Sequence, residues 1–175
     1  MKITLAGLSF IGVIFLSTIC NSSVDAQVIP DNTLNTKVSG GSIYTVTDGT
    51  VVGNNLFHSF SQFDVPSPGS VTFSHSTNIQ NIFSRVTGGS VSYIDGAINA
   101  NANLFLLNPA GIIFGKNARL NINGSFVGTT ANGIRFDDGK VFSTDITKPP
   151  VLTMSVPIGL QLGANAGAIR TQGTP

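Results

Sequence analysis

The feature that most limits what this chain can fold into is a repeat. Val38-Ser-Gly-Gly-Ser-Ile-Tyr-Thr-Val46 recurs as Val86-Thr-Gly-Gly-Ser-Val-Ser-Tyr-Ile94, and Asn55-Leu56-Phe57 recurs as Asn103-Leu104-Phe105, both at an offset of 48 residues. Asp48-Gly49 is echoed by Asp95-Gly96, one position out of step. A fixed period of this kind marks a stack of similar units. The offset reads as two turns of about 24 residues each, within the usual solenoid range.

The stretches between the repeats fit a stack of short strands. Apolar runs fall at Val71–Phe73, Asn81–Val86, Ser90–Ile94, Leu104–Leu107, Ile112–Phe114, Arg119–Ile122 and Ser125–Val127. Turn formers separate them: Gly88-Gly89, Asp95-Gly96, Asn108-Pro109-Ala110-Gly111, Gly115-Lys116-Asn117, Asn123-Gly124 and Asn132-Gly133. All eight acids are Asp, 20 residues are Gly, and Glu is absent, which disfavours helix interiors. Strands this short bury little core in an ordinary sandwich. Stacked coils solve the problem, because each strand pairs with those above and below it.

The expected fold is therefore all-β: a right-handed, single-stranded parallel β-helix in which Leu120/Ile122 and Val91/Tyr93 face the interior. An antiparallel sandwich or barrel with hairpins at the Asn-Gly and Asp-Gly pairs is the competing architecture. A solenoid needs its open end covered. Gln27–Ser39 and the insert around Pro66-Ser67-Pro68 are the candidates for that cap. Phe136–Pro157, with Lys148-Pro149-Pro150, reads as an excursion outside the coils, and the lack of a recognisable cap near Pro175 suggests the opening section of a longer solenoid.

The start of the chain reads as an export signal. Met1-Lys2 precedes an uncharged stretch whose apolar part is Leu5–Leu16, and Val24-Asp25-Ala26 supplies small residues before Gln27. Residues 1–26 are expected to be cleaved, leaving a domain over 27–175. A membrane anchor is disfavoured by the short apolar run, and a lipoprotein by the bulky Ile19 before Cys20. Cleavage removes the single cysteine, so the domain has no disulfide and must hold itself by packing.

Little here points to chemistry. The formal charge is +1 with no basic run, so nucleic acid is not an expected partner. His58 lies between Phe57 and Phe60 and reads as a partly buried structural histidine; His75 sits in a polar loop. Two histidines and no mature cysteine make a zinc site improbable. Asp48, Asp95 and Asp138 each adjoin Gly and read as turn residues, while Arg85, Arg119, Arg135 and Lys116 are scattered. With no paired-carboxylate constellation visible, neither enzyme activity nor a cofactor is expected.

Three stretches resemble one family. Asn55-Leu-Phe-His-Ser-Phe-Ser-Gln-Phe-Asp-Val65, Asn101-Ala-Asn-Leu-Phe-Leu-Leu-Asn-Pro-Ala-Gly-Ile-Ile-Phe-Gly115 and Asn123-Gly-Ser-Phe-Val-Gly-Thr-Thr-Ala131 are similar to the motifs of the filamentous-haemagglutinin-type two-partner-secretion domain, also called the haemagglutination-activity domain. The likeness covers roughly Val28 to Leu162. Ala110 and Asp64 stand where that family usually has Asn. The resemblance implies a secretion domain of a large exoprotein, recognised by an outer-membrane β-barrel transporter with periplasmic polypeptide-binding domains and nucleating β-helix folding at the cell surface. Stable membrane insertion is not implied.

On that resemblance the partner-recognition residues are Asn55, Leu56, Phe57, Asn108, Pro109, Ala110, Gly111 and Ile112. For Asn108–Gly111 a plain coil corner is the competing reading, since Pro fixes φ and Asn and Gly accept unusual backbone angles. An adhesin segment that itself binds host or neighbouring-cell glycans remains an alternative function. A β-helix polysaccharide-degrading enzyme is a more remote one.

Overall fold

The computed structural model describes residues 27–173; the expected signal segment, with Cys20, lies outside them. Among the described residues every regular element is a strand. In chain order these are β1 (Val28–Pro30), β2 (Thr36–Gly40), β3 (Ile43–Asp48), β4 (Thr50–Val52), β5 (Asn55–Phe63), β6 (Ser70–Phe73), β7 (Asn81–Val86), β8 (Ser92–Ile94) and β9 (Ala97–Ala100). They continue with β10 (Asn103–Leu107), β11 (Ile112–Phe114), β12 (Arg119–Ile122), β13 (Phe126–Thr129), β14 (Gly133–Phe136), β15 (Val141–Ser143), β16 (Pro157–Gln161) and β17 (Ile169–Thr171).

The chain winds into a β-solenoid of about three turns with three parallel walls. One wall stacks β5, β7, β10 and β13; the second stacks β3, β6, β9 and β12. The third stacks β8, β11 and β17, with Val65 bridged in parallel above Ile94. Parallel neighbours so close in sequence require the chain to travel around a common axis between them. The antiparallel sandwich is excluded by this pairing.

The interior is built from columns of side chains in register. Leu56, Ile82, Leu104 and Phe126 form one column, and Tyr44, Val71, Ile98 and Leu120 another. Each fully buried Leu, Ile or Phe contributes about 1.5–3 kcal/mol of transfer free energy. Leu120 and Ile122 do lie in inward columns, yet Leu120 is 42% exposed because its strand is the last described rung of its wall.

Val91 and Tyr93 face outward, contrary to expectation. Ser92 and Ile94 are the buried residues of β8. The polar Ser92 holds its inward place because its Oγ accepts a hydrogen bond from Asn108 Nδ2 at 2.9 Å, while the Tyr93 hydroxyl reaches Gln172 outside. A three-residue strand has too few positions for alternation to fix its phase.

The repeat also needs correcting in part. Asn55–Phe57 and Asn103–Phe105 are true rung equivalents with Asn81–Phe83 between them, at steps of 26 and 22 residues. Val38–Val46 spans the antiparallel hairpin of β2 and β3, whereas Val86–Ile94 turns from the first wall into the third, so that likeness is not structural. Asp48 ends β3 and Asp95 follows β8, so their likeness is not structural either.

The first edge is capped as expected of Gln27–Ser39. Strands β1 and β4 both pair antiparallel with the free edge of β5, and β2 with that of β3. Pro66–Pro68 is a corner of the first coil and not part of the cap. Its neighbour Gly69 sits between Ser42 above and the Asp95-Gly96 corner below, with Ala97 N donating to Gly69 O at 3.1 Å.

The excursion after β13 has its own structure. Strands β15, β14 and β16 form an antiparallel sheet that packs on the outside of the first wall. Its Ile134, Phe136 and Phe142 join Phe57, Phe83 and Leu107 in a second buried cluster. The first wall is consequently buried on both faces along most of β5 and β7.

Candidate partner-recognition site

The two motifs occupy opposite ends of the first wall. Asn55 opens β5, two rungs above Asn103, and Asn108 follows the last residue of β10. Their separation along the strand direction is roughly 17 Å, taking about 3.3 Å per residue. The structure does not bring them into one patch.

Asn55 is 1% exposed. Its Nδ2 donates to Thr153 O at 3.0 Å and Ser155 O at 2.9 Å, and its Oδ1 accepts from Asn81 Nδ2 at 2.9 Å. Asn103 Nδ2 then donates to Asn81 Oδ1 at 3.0 Å, and Ser125 N to Asn103 Oδ1 at 2.9 Å. This ladder gives one amide per rung the same task. Leu56 is buried in the interior, while Phe57 points the other way and stacks on Phe83 at 5.1 Å, with Phe83 on Phe105 at 4.7 Å.

Asn108 makes a corner and also ties it to the rung above. Its Oδ1 accepts from Ala110 N at 3.0 Å, and Gly111 N donates to Asn108 O at 3.0 Å, closing a turn. Its Nδ2 donates to Ser90 O and Ser92 Oγ, both at 2.9 Å. Gly111 has φ +128°, a conformation that favours glycine. Pro109 and Ala110 are half-buried, and their carbonyl side is covered by Gly167, whose N donates to Pro109 O at 2.7 Å. Ile112 is fully buried. The coil-corner reading of Asn108–Gly111 thus describes the folded geometry.

Asp64 also acts structurally: its Oδ1 accepts Tyr93 N at 2.6 Å and its Oδ2 accepts Gln62 Nε2 at 2.7 Å. The turn-residue readings hold for Asp48, which has φ +60°, and for Asp138, whose Oδ1 accepts Lys140 N. Asp95 adds a rung-to-rung tie, accepting both amide groups of Asn117 at 2.9 Å.

His58 is fully buried in the first coil, in line with a structural histidine. Its Nδ1 lies 3.3 Å from Thr36 Oγ1, and its ring packs against Phe60 and Phe73. Burial, with a smaller push from His75 and an opposing pull from Asp48, lowers its pKa to about 4. Among the described residues no group of three or more His, Cys, Asp or Glu side chains is arranged to hold a metal.

Arg85 is the residue that sequence reasoning passed over. It is fully buried on the outer face of the first wall. Nε donates to Ser59 Oγ at 2.7 Å, Nη2 to Thr33 Oγ1 at 2.8 Å and Nη1 to Ser143 O. The Phe142 ring lies over the guanidinium at 5.0 Å. Ser59 and Thr33 in turn donate to Asp31, at 2.5 Å and 2.7 Å, so two hydroxyls link the charges. Burial lowers the Arg85 pKa and Asp31 opposes it; the Asp31 pKa is lowered although burial acts against it, because Ser59, Thr33 and Thr87 donate to the carboxylate. The one signal available in advance was an arginine inside the apolar run Asn81–Val86.

Stacked parallel rungs, a capped first edge and Asn-rich corners define a protein of the parallel β-solenoid class. Within that class, this chain belongs to the TPS secretion domain family, which matches residues 26–175. It is similar to the heme/hemopexin-binding protein of Haemophilus influenzae, 33% identical over 89 residues, a match covering 51% of this chain and 10% of that protein. The matched part spans about a tenth of that relative's length.

Proposed function

We propose that this chain is the secretion domain of a larger exoprotein, held by a cognate outer-membrane β-barrel transporter through its periplasmic domains and folded after passage to the cell surface. Family membership supports the secretion role. Burial is the observation that carries the manner of recognition. Asn55, Leu56, Phe57, Asn108 and Ile112 are no more than 1% exposed in the folded domain. A transporter that reads these side chains meets them before the domain has folded.

The physics favours such an order. Rungs of the first wall pair residues 22 or 26 apart, and non-local pairing of this kind is slow because loop closure precedes the gain of contacts. No cysteine follows Cys20, so no disulfide locks the chain early. Extended segments present free strand edges, which a partner holds by strand addition. Release at the surface lets the coils close and supplies direction without ATP. A non-catalytic role is supported by carboxylates spent on turns and rung ties.

The test is export from cells producing the full chain with its transporter, read as protein accessible to external protease. Removing the transporter's periplasmic domains should abolish surface protein, and Asn55→Ala with Asn108→Asp should reduce it several-fold. Undiminished export without those domains overturns the proposal.

A second reading has one observation behind it. Thr45, Thr72, Asn99 and Asn121 are in register on the outer face of the second wall, with Asn121 Nδ2 donating to Asn99 Oδ1 at 2.8 Å. A flat polar ladder of this kind suits glycan contact. Binding of the isolated chain to a glycan array, lost in Asn99→Ala, distinguishes it from secretion alone.

A further inference from the structure

We infer that the outer sheet is a closure latch: β14–β16 and the segment leading into β16 complete the cap and first two coils through Arg85, so these parts form one cooperative unit. A plain solenoid grows by nearest-neighbour additions, each rung needing only the one before it. Here the first two rungs carry side chains whose partners arrive far downstream.

Three sets of ties cross to that segment. Arg85 Nη1 donates to Ser143 O, 58 residues later, and Phe142 covers the guanidinium. Phe57 and Phe83 meet Phe136 edge-on or tilted at 6.3 Å and 5.2 Å, and Phe57 meets Phe142 at 5.0 Å. Asn55 Nδ2 donates to the carbonyls of Thr153 and Ser155, 98 and 100 residues later.

Arg85 makes the coupling hard to bypass. A buried guanidinium is tolerated only while its donors are paired, and removing one partner leaves an uncompensated charge. Its remaining partners, Thr33 and Ser59, belong to the cap and the first coil and lead to Asp31. Losing the outer sheet therefore exposes or strands the charge that joins cap to coil. The last described rungs, β12 and β17, share none of these ties. On the proposed secretion role, a chain that emerges from its N-terminal end has this closure withheld until residue 155 or so is out.

Native-state hydrogen exchange on the purified full chain, in a series of low denaturant concentrations, tests the latch without any transporter. Amides of residues 28–36, 55–63, 81–86 and 133–143 should merge into one opening event, separate from residues 119–122. Two variants sharpen the test. Phe142→Ala and Arg85→Lys should each speed exchange in both 28–36 and 133–143 by about tenfold or more, since each removes part of a buried charged network. Exchange at 119–122 should be unchanged. Opening of 133–161 as an independent event, or acceleration confined to the mutated element, overturns the inference; the wild-type series decides it if a variant fails to fold.

Discussion

Asn55 and Asn103 stand 48 positions apart in the sequence, yet they occupy the same column two rungs apart, joined by the amide of Asn81. Repeated amides are a low-risk way to satisfy side chains at a coil edge, because each rung supplies the donor its neighbour accepts.

Asn81→Ala breaks this ladder at its centre. It leaves Oδ1 of the buried Asn55 and Nδ2 of the half-buried Asn103 without their partners, which costs about 1–3 kcal/mol. The midpoint of urea unfolding should fall accordingly, whereas Asn121→Ala on the exposed ladder should change the stability by less than about 0.5 kcal/mol. Equal effects would deny the Asn55–Asn81–Asn103 ladder its role.

The corner at Gly111 is a second point of rigidity. Its φ of +128° is strained for any residue with a side chain, and an added Cβ would lie 2.9 Å from Ala168 O. Gly111→Ala should destabilise the domain by about 1–3 kcal/mol. Gly41→Ala, where a Cβ meets nothing within 4 Å, should be close to neutral; thermal unfolding of the two variants side by side checks both.

Acid should weaken the domain through His58. Its pKa falls from the ordinary 6.5 to about 4 in the folded state, so the unfolded chain binds more protons between those values. Stability is then full above about pH 6.5 and falls as the pH drops towards 4, by up to about 3 kcal/mol from this group. Below about pH 4 this contribution is flat. Urea midpoints measured from pH 4 to 8 should show the slope in the wild type and lose most of it in His58→Gln.

Much of the fold was legible because turn formers bracket the strands. Asn81–Val86, Ile112–Phe114 and Arg119–Ile122 begin and end where the sequence suggests. The middle copy, Asn81-Ile-Phe83, was hidden because the coils differ in length, 26 residues and then 22, so a fixed-period search sees only the sum. The outer sheet was legible as an excursion but not as a second core, since nothing local says that Phe136 and Phe142 meet Phe57 and Phe83. Arg85 escaped for the same reason: its partners come from three distant segments. For the candidate site, the sequence shows both motifs as strings of residues, while their burial needed the fold.

Truncating the outer core makes the same point energetically. Phe83 contacts Phe57, Phe105 and Phe136, and Phe83→Ala should cost about 3–5 kcal/mol. Limited proteolysis should then cut first within the segment joining β15 to β16, as that sheet loses its seat. Cleavage unchanged from the wild type would contradict this packing.

The proposed recognition residues are ones that folding hides. The most direct measurement is the affinity of the transporter's purified periplasmic domains for the chain in two states: folded wild type, and a variant such as Ile82→Asp with Ile98→Asp, unfolded in the same buffer because two charges replace fully buried core side chains. The unfolded chain should bind, more weakly when it also carries Asn55→Ala and Asn108→Asp, and the folded chain should bind far less. Equal binding of the folded domain, indifferent to those substitutions, would contradict the account.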